Sequence, residues 1–399
     1  MKILVINAGS STLKFQFLNT KNGNVIAKGN VERIGEGKSF LKYKAGDVNE
    51  TFNQKIDNHR EAMKAVVATI TDSKIGVIKS IDEIDAFGHR VVNAGDKFFD
   101  PIIVNKKVLA DFKKNIDFSP LHMPGAIAGV EACLALAPNI PSVCVFDTGF
   151  HKTMPEYAFR YAINENYYKK YKVRKYGAHG TSHFYVAREC AKIMKKDESK
   201  LKIITCHLGG GASLAAVDGG VCKDTSMGFT PLEGIIMNTR SGDIDPSVVE
   251  FLCNKTGKGV SEIVRELNKE SGLYALNNGV SDMRELENNY HDKRVKLSLD
   301  MYAYRIKKYI GSYVAVMNGV DAIVFTAGIG ENTPLIRKLV TDNMDFFGIK
   351  IDNEKNYGAK RGAVTDITAK GSKVKVFIIP TNEELVIAEK TEEIVNSKK

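Results

Sequence analysis

The chain has 399 residues, 43% of them hydrophobic and 26% charged, and a formal net charge of +10. That length exceeds what one hydrophobic core usually supports, so the prior is two domains of ordinary size. No apolar run approaches the ~20 residues of a membrane span, and residues 1–10 lack the charged, apolar and small-residue pattern of a signal peptide, so a cytoplasmic protein is expected. The lysines are dispersed, as in Lys169-Lys-Tyr-Lys-Val-Arg-Lys175, and are not gathered on one motif with interleaved aromatics. Small anionic substrates, not nucleic acid, account for such a balance. Cys133, Cys144, Cys190, Cys206, Cys222 and Cys253 form no C-x-x-C pair, which predicts reduced, buried thiols and no zinc or redox centre.

In chain order, residues 2–7, 12–18, 24–33, 39–45 and 49–55 read as strands with turns at Asn22-Gly23 and Gly35–Gly37. A helix over 58–71, a strand over 85–92, helices over 105–116 and 122–136 and a strand over 141–147 follow. Residues 150–200 are less regular and end in a helix near 181–195. Strands over 201–208, 211–218 and 220–226 then repeat the opening order. An insertion at 228–289, rich in polar residues and glycine, precedes a long helix near 290–317. A strand over 321–326, a helix over 334–344, a strand over 374–380 and a helix over 383–396 complete the chain.

Three strands followed by alternating helices and strands thus occur twice. This predicts a duplicated α/β fold, βββαβαβα in each half, with the ligand in the cleft between the halves. The expected domains are 1–149, joined by the last helix at 383–399, and 150–382, with hinges near 148–150 and 381–384.

Two glycine-rich hairpins occupy matching positions in the halves. The first runs from Ile3 to Phe17 around Gly9, Ser10 and Thr12, and the second from Leu201 to Gly220 around Gly209, Gly210, Gly211 and Ser213. Read as strand turns, they expose backbone N–H groups to an anion, phosphate being the obvious candidate. Neither matches G-x-x-x-x-G-K-[ST] or the dinucleotide glycine spacing, so a nucleotide would be held by hairpins.

Asn7-Ala-Gly-Ser-Ser-Thr-Leu-Lys14, Gly88-His-Arg-Val-Val92, Asp147-Thr148, His179-Gly-Thr-Ser-His183, His207-Leu-Gly209, Asp224-Thr-Ser-Met-Gly-Phe-Thr-Pro-Leu-Glu-Gly234, Thr239-Arg-Ser-Gly-Asp-Ile-Asp-Pro246, Phe325-Thr-Ala-Gly-Ile-Gly-Glu-Asn332 and Thr381-Asn-Glu-Glu384 together resemble the acetate kinase family. The blocks run in order over residues 3–388. The resemblance implies the actin, hexokinase and Hsp70 type of fold, a homodimer, and reversible transfer of a phosphoryl group from ATP to acetate, giving acetyl phosphate and ADP by direct in-line transfer.

Carboxylate is an acceptor already ionised at neutral pH, so such chemistry requires no general base. It requires arginines, a metal and hydrogen-bond donors that hold two anions together. The resemblance assigns Arg90, Asp147, His179 and Arg240 to catalysis. It puts the acyl group against Arg90, Val92, Leu121, Ala178 and Pro231. Phosphate and nucleotide fall to Ser10, Thr12, Lys14, His122, His207, Leu208, Gly209, Gly210, Gly211, Asp282, Met283, Arg284, Gly328, Ile329, Gly330, Glu331 and Asn332. Mg2+, with Mn2+ as a substitute, falls to Asn7 and Glu383, with Asp147 close by. His183 reads as a packing or capping residue, Glu384 as first-turn acid, and Lys14 reads equally as a strand-end surface charge.

Departures from the family's usual pattern cluster near these residues. Asn93-Ala94 replaces His-Gly, Met123-Pro-Gly-Ala126 replaces Asn-Pro-Ala-Asn, Gly149 replaces Ala, Gly210 replaces Asn, and Asn238 replaces Gly. Ala178 stands where an aromatic is usual. The smaller side chain leaves room for propionate or butyrate unless a neighbour refills the space, each buried methylene being worth roughly 0.8 kcal/mol. Pyrophosphate as donor and a non-catalytic nucleotide-binding role are the alternatives; the Gly-Ile-Gly-Glu-Asn block and the retained charged residues argue against them.

Overall fold

The computed structural model describes residues 1–120 and 122–398. The chain divides into two compact units, Met1–Gly149 with Asn382–Lys399, and Phe150–Thr381. No helix among the described residues is long and apolar enough to cross a membrane.

The first unit holds β1 (Lys2–Ala8), β2 (Thr12–Asn19), β3 (Asn24–Glu32), β4 (Phe40–Ala45), β5 (Val48–Asn53), β6 (Ala86–Val91), β7 (Ile102–Ile103) and β8 (Ser142–Phe146), in sheet order β5-β4-β3-β2-β1-β6-β8-β7. The second holds β9 (Lys202–Leu208), β10 (Ala212–Asp218), β11 (Val221–Thr225), β12 (Ala322–Thr326), β13 (Thr365–Asp366) and β14 (Lys375–Ile378), in order β11-β10-β9-β12-β14-β13. Within each sheet three strands pair antiparallel, a fourth joins the first of them in parallel, and a fifth pairs in parallel with the fourth. The inner orders β3-β2-β1-β6-β8 and β11-β10-β9-β12-β14 are therefore one topology used twice, as the sequence predicts. The parallel strands β8 and β12 are buried along their whole length, which is why they read as unbroken apolar runs.

Both faces of the first sheet are covered. Leu4, Ile6, Leu13, Phe15 and Phe17 pack with Met63, Val66 and Ile70 of helix His59–Ile70, whose start is capped by the Asn58 side chain accepting from Glu61 N–H. Ile3, Val5, Val143 and Val145 pack with Ile387, Ala388 and Val395 of helix Glu383–Asn396. In the second unit, helix Gly180–Met194 covers β9 and β12 on one face, and helix Lys293–Met317 buries Leu299, Tyr302, Ile306, Ile310 and Tyr313 on the other. The helix that follows β8 thus belongs to the second unit, and the helix that follows β14 belongs to the first.

Several elements differ from the sequence reading. The 228–289 insertion contains helices Ser247–Thr256, Val260–Lys269, Gly272–Leu276 and Met283–Asn288. Strands β7 and β13, two residues each, are too short to leave a periodic pattern. Residues Ala327–Asn332, between the strand and the helix that the sequence predicts, form a short helix of their own. Residues 150–200 contain helices Glu156–Phe159 and Glu165–Tyr171 before Gly180–Met194.

Gly88 of β6 fixes how closely helix Glu383–Asn396 approaches. A Cβ there would lie 2.7 Å from Thr391 Oγ1 and 2.9 Å from Ile387 Cγ2. Gly88→Ala is therefore expected to lower stability by about 1–3 kcal/mol, read as a reduced urea midpoint; an unchanged midpoint would mean that the helix yields freely.

Candidate functional site

In the first unit the register of three strands sets the site. Asn7 of β1 pairs with Lys14 of β2, and the preceding pair Ile6 and His89 sets Asn7 beside Arg90 of β6. Asp147 follows β8, its N–H bonded to Val91 O at 2.9 Å. These residues gather at the carboxyl ends of parallel strands, the usual ligand side of such sheets.

Arg90 donates to Asp147 through Nε at 3.0 Å and an Nη at 2.6 Å, a bidentate fork on a carboxylate with 0% exposure. Glu383 Oε2 stands 3.6 Å from Arg90 Nε. Burial works to lower the Arg90 pKa, but Asp147 and Glu383 outweigh it and the guanidinium is held charged. Removing one partner of such a buried pair typically costs 3–5 kcal/mol. Asp147 thus fixes the orientation of Arg90.

Glu383 and Glu384 form the first turn of their helix, whose start is capped by Asn382 accepting from Leu385 N–H. Burial and the neighbouring Glu383 raise the Glu384 carboxyl, against the pull of Arg90 and Lys14. Lys14 itself is exposed and lines an open groove of about 430 Å³ with Lys28, Lys42, Lys44 and Glu384.

In the first hairpin, Gly9 N–H donates to Thr12 O at 2.8 Å, and His59 Nε2 meets Gly9 O at 2.7 Å. Ser10 is exposed and Thr12 half-buried. His122 is the residue before helix Met123–Leu136, and Val92 follows β6 half-buried. Leu121 lies outside the described residues. Two departures have local causes: Asn93 Oδ1 accepts from Gly95 N–H at 2.9 Å, and a Cβ at Gly149 would lie 2.5 Å from Phe99 O.

In the second unit His179 precedes helix Gly180–Met194 with φ of 56°, a left-handed conformation that strains a residue bearing a Cβ. Its Nδ1 meets Ser213 Oγ at 2.8 Å, and that hydroxyl also meets His183 Nε2 at 2.8 Å. His183 Nδ1 meets Thr205 Oγ1 at 2.7 Å, while the Thr205 hydroxyl donates to Ala215 O at 3.5 Å.

With the long Thr205 bond to Ala215 O kept, the protons of this row are placed as follows. Thr205 accepts from His183 Nδ1–H, Ser213 donates to His183 Nε2, and Ser213 accepts from His179 Nδ1–H. Burial holds His183 neutral, its pKa far below the ordinary value, which the arrangement requires. His183, expected as a packing residue, thus acts through Ser213 to hold the His179 Nδ1–H, and His179 Nε2 faces Gly211, 3.5 Å from where a Cβ would be. His207 stacks on His179 at 4.1 Å between ring centroids, its Nδ1 meeting Ser182 Oγ at 2.8 Å, and Ser182 Oγ meets Thr381 Oγ1 at 2.8 Å.

Arg240 completes this cluster. An Nη nitrogen lies 3.3 Å from the Gly211 Cβ position and donates to Pro231 O at 3.4 Å and Met237 Sδ at 3.7 Å. Among the described residues no carboxylate lies within ion-pair distance of it, and burial lowers its pKa. Gly209 corrects one expectation: its N–H closes the turn on Gly211 O at 3.1 Å and is not offered to a ligand. Leu208 is buried. Ala178, expected to open an acyl pocket, is 2% exposed within the unit's main core cluster, which also holds Met227 and Met237.

Gly328 and Asn332 are exposed, Ile329 and Gly330 buried, on helix Ala327–Asn332. Burial raises the Glu331 carboxyl, which accepts from Thr381 N–H at 3.4 Å. Sequence reasoning missed Arg337, 1% exposed, which donates to Gly330 O at 2.9 Å, Glu331 O at 3.0 Å, and both oxygens of Asn356 at 2.7 and 3.0 Å. Asp282 caps helix Met283–Asn288 and grips the exposed Arg284 side chain, with Met283 buried beneath. Arg337→Met would orphan two helix carbonyls and the Asn356 amide. A loss of about 1–3 kcal/mol is expected, measured as a lower thermal midpoint; no loss would mean that water replaces the guanidinium.

The model of the Acetokinase family matches residues 2–389. The acetate kinase of Thermoanaerobacterium thermosaccharolyticum is 50% identical over all of both chains, and that of Thermotoga maritima 49% over 99% of each. Among solved structures, acetate kinase of Porphyromonas gingivalis matches with a TM-score of 0.93 at 42% identity, covering 99% of each chain. A propionate kinase of Francisella tularensis matches at 0.92 with 38% identity, over 98% of this chain and 99% of the other. With the duplicated sheets and the arginine and histidine cluster, these matches establish that the chain belongs to the Acetokinase family.

Proposed function

We propose that this chain transfers the terminal phosphoryl group of ATP reversibly to acetate, giving acetyl phosphate and ADP. The observation that carries the reading is Arg240: a half-buried guanidinium with no carboxylate partner among the described residues, beside His179 Nε2 and the glycine hairpin. An unpaired cation in such a setting is costly unless an anion completes it. The relatives named acetate kinase favour acetate as acceptor, and the inaccessible Ala178 offers a longer acid no surface at that position.

In the forward direction an acetate oxygen attacks the terminal phosphorus, the new O–P bond forms as the bond to the leaving diphosphate oxygen breaks, and ADP departs with that electron pair. No proton need move. Arg90, aimed by Asp147, orients the carboxylate. Arg240 forks onto phosphoryl oxygens, and His179, protonated at Nε2 with its Nδ1–H held by Ser213, donates to another. Gly210 and Gly211 border the phosphates. Gly328 and Gly330, with Glu331, Asn332 and the Asp282–Arg284 segment, take the nucleoside; nothing lies within 4 Å of a Cβ built on Gly328, which suits a flat base.

Among the described residues no three His, Cys, Asp or Glu side chains cluster for a metal. The residues fit Mg2+, or Mn2+, arriving with the nucleotide and keeping most of its water, with Glu383 and Asn7 as oxygen donors. When bound, the ion neutralises phosphate charge. We also assign a homodimer and a cytoplasmic setting. Exposed Leu297, Met301 and Tyr304 on one long helix support an interface in the second unit, and six free cysteines, five of them buried, suit a reducing compartment.

Trapping acyl phosphate with hydroxylamine, in the presence of Mg-ATP and acetate, propionate, butyrate or isobutyrate, tests the reading. Acetate should give the highest kcat/KM; a longer acid ahead by about tenfold or more would reassign the acceptor, and no turnover with any acid would overturn the reading. Arg240→Ala should lower kcat by about 10²–10³-fold, with Arg240→Lys recovering little because the planar fork is lost. Retention within about tenfold would remove Arg240 from the reaction.

A further inference from the structure

The second unit buries a histidine that the proposed phosphoryl transfer does not use. His151 is buried, and both of its ring nitrogens are engaged: Nε2 meets Ala178 O at 2.9 Å and Nδ1 meets Cys222 Sγ at 3.1 Å. A carbonyl oxygen only accepts, so Nε2 carries the ring proton and the bare Nδ1 accepts from the Cys222 thiol. The imidazole nitrogen is a stronger acceptor for that thiol than Asp224 O, 3.4 Å from the sulfur. Burial lowers the His151 pKa to about 4, which keeps the ring in this neutral form.

The carbonyl that this ring holds belongs to the peptide joining Ala178 to His179. Ala178 stands between two left-handed residues, Gly177 with φ of 76° and His179 with φ of 56°, a backbone path that persists only where its surroundings fix it. On the far side the helix fixes it, His183 N–H donating to His179 O at 2.9 Å. On the near side Tyr176 and Gly177 N–H donate to Gly228 O at 3.0 and 3.2 Å. Between these anchors the His151 bond sets the plane of the Ala178–His179 peptide. The ring lies directly against the turn: a Cβ at Gly177 would stand 2.6 Å from His151 Cδ2. Its other side meets the His183 ring edge-on, 5.8 Å between centroids.

We infer that His151 is a positioning residue for His179: its Nε2–H holds the peptide plane, and with it the left-handed φ, that points the His179 ring at Gly211, and the Cys222 thiol keeps that proton on Nε2. The inference rests on the phosphotransferase reading. Being buried behind the turn, His151 acts through the backbone and not on the substrate.

The test compares two unbranched replacements in the full chain, read as kcat and KM for acetate at saturating Mg-ATP, with thermal midpoints recorded alongside. His151→Gln keeps an N–H donor for Ala178 O and an oxygen for the Cys222 thiol, and should stay within about threefold of the parent kcat. His151→Met fills similar space without the donor. It should lose about tenfold or more in kcat with KM for acetate within about threefold, because a small misplacement of a reacting group is felt in the transition state. A role in folding alone would lower the midpoint and leave kcat per folded molecule unchanged. Equal kcat in the Gln and Met variants of an active parent, or a Met loss carried by KM, overturns this inference alone. Should neither variant fold, Cys222→Ser, which keeps a donor to Nδ1, and Cys222→Ala, which removes it, carry the same comparison: kcat lower in Ala than in Ser is expected, and equal values overturn the inference. A parent inactive with every acid overturns the phosphotransferase reading itself.

Discussion

A half-buried arginine without a carboxylate is the constraint on which the second unit's site depends. Both site arginines are partly withdrawn from water, yet they are treated in opposite ways. Arg90 is gripped by a carboxylate of 0% exposure, Asp147, so its charge is balanced within the protein and its direction is fixed. Among the described residues Arg240 has only a carbonyl and a thioether within hydrogen-bond reach, so its balance must come from outside. A protein retains such an imbalance at a cost in stability, and sites that bind anions are where the cost is recovered.

The surrounding groups make the same distinction between fixed and open valences. Ser213 joins two imidazoles, donating to the neutral His183 and so left to accept from His179 Nδ1–H, which keeps His179 Nε2 for the ligand side. The left-handed backbone of His179 turns the ring toward Gly211. Glycine at 211 then allows Arg240 and His179 to converge on one point that any larger side chain would fill. Farther along, Arg337 satisfies the carbonyls at the end of helix Ala327–Asn332 and so holds a short, glycine-rich segment in helical form.

Much of this was legible in the sequence because its signals are local. The alternating and apolar runs of β1, β2, β9 and β10 and the repeat of the three-strand opening read directly, while the motifs around Arg90, His179, Arg240 and Glu383 stood out through a family resemblance. What could not be read depends on partners far away in the chain. Ser213 stood out only as a hairpin residue, because its bond to His179 spans 34 positions. Arg337 carried no local signal, since its acceptors include Asn356, 19 positions away. Ala178 suggested an enlarged pocket because volume lost at one position is visible in sequence, whereas the core residues clustered with it, such as Met227 and Met237, are not marked as its neighbours.

The central claim, that Arg240 is kept unpaired for an anion and not for the fold, is tested most directly by the thermal midpoint of ligand-free Arg240→Met. Methionine keeps much of the buried volume and removes the uncompensated charge. A midpoint equal to or above that of the parent is expected, with turnover lost. A midpoint lowered by the equivalent of about 2 kcal/mol or more would show that the guanidinium is a structural element, and would contradict the account.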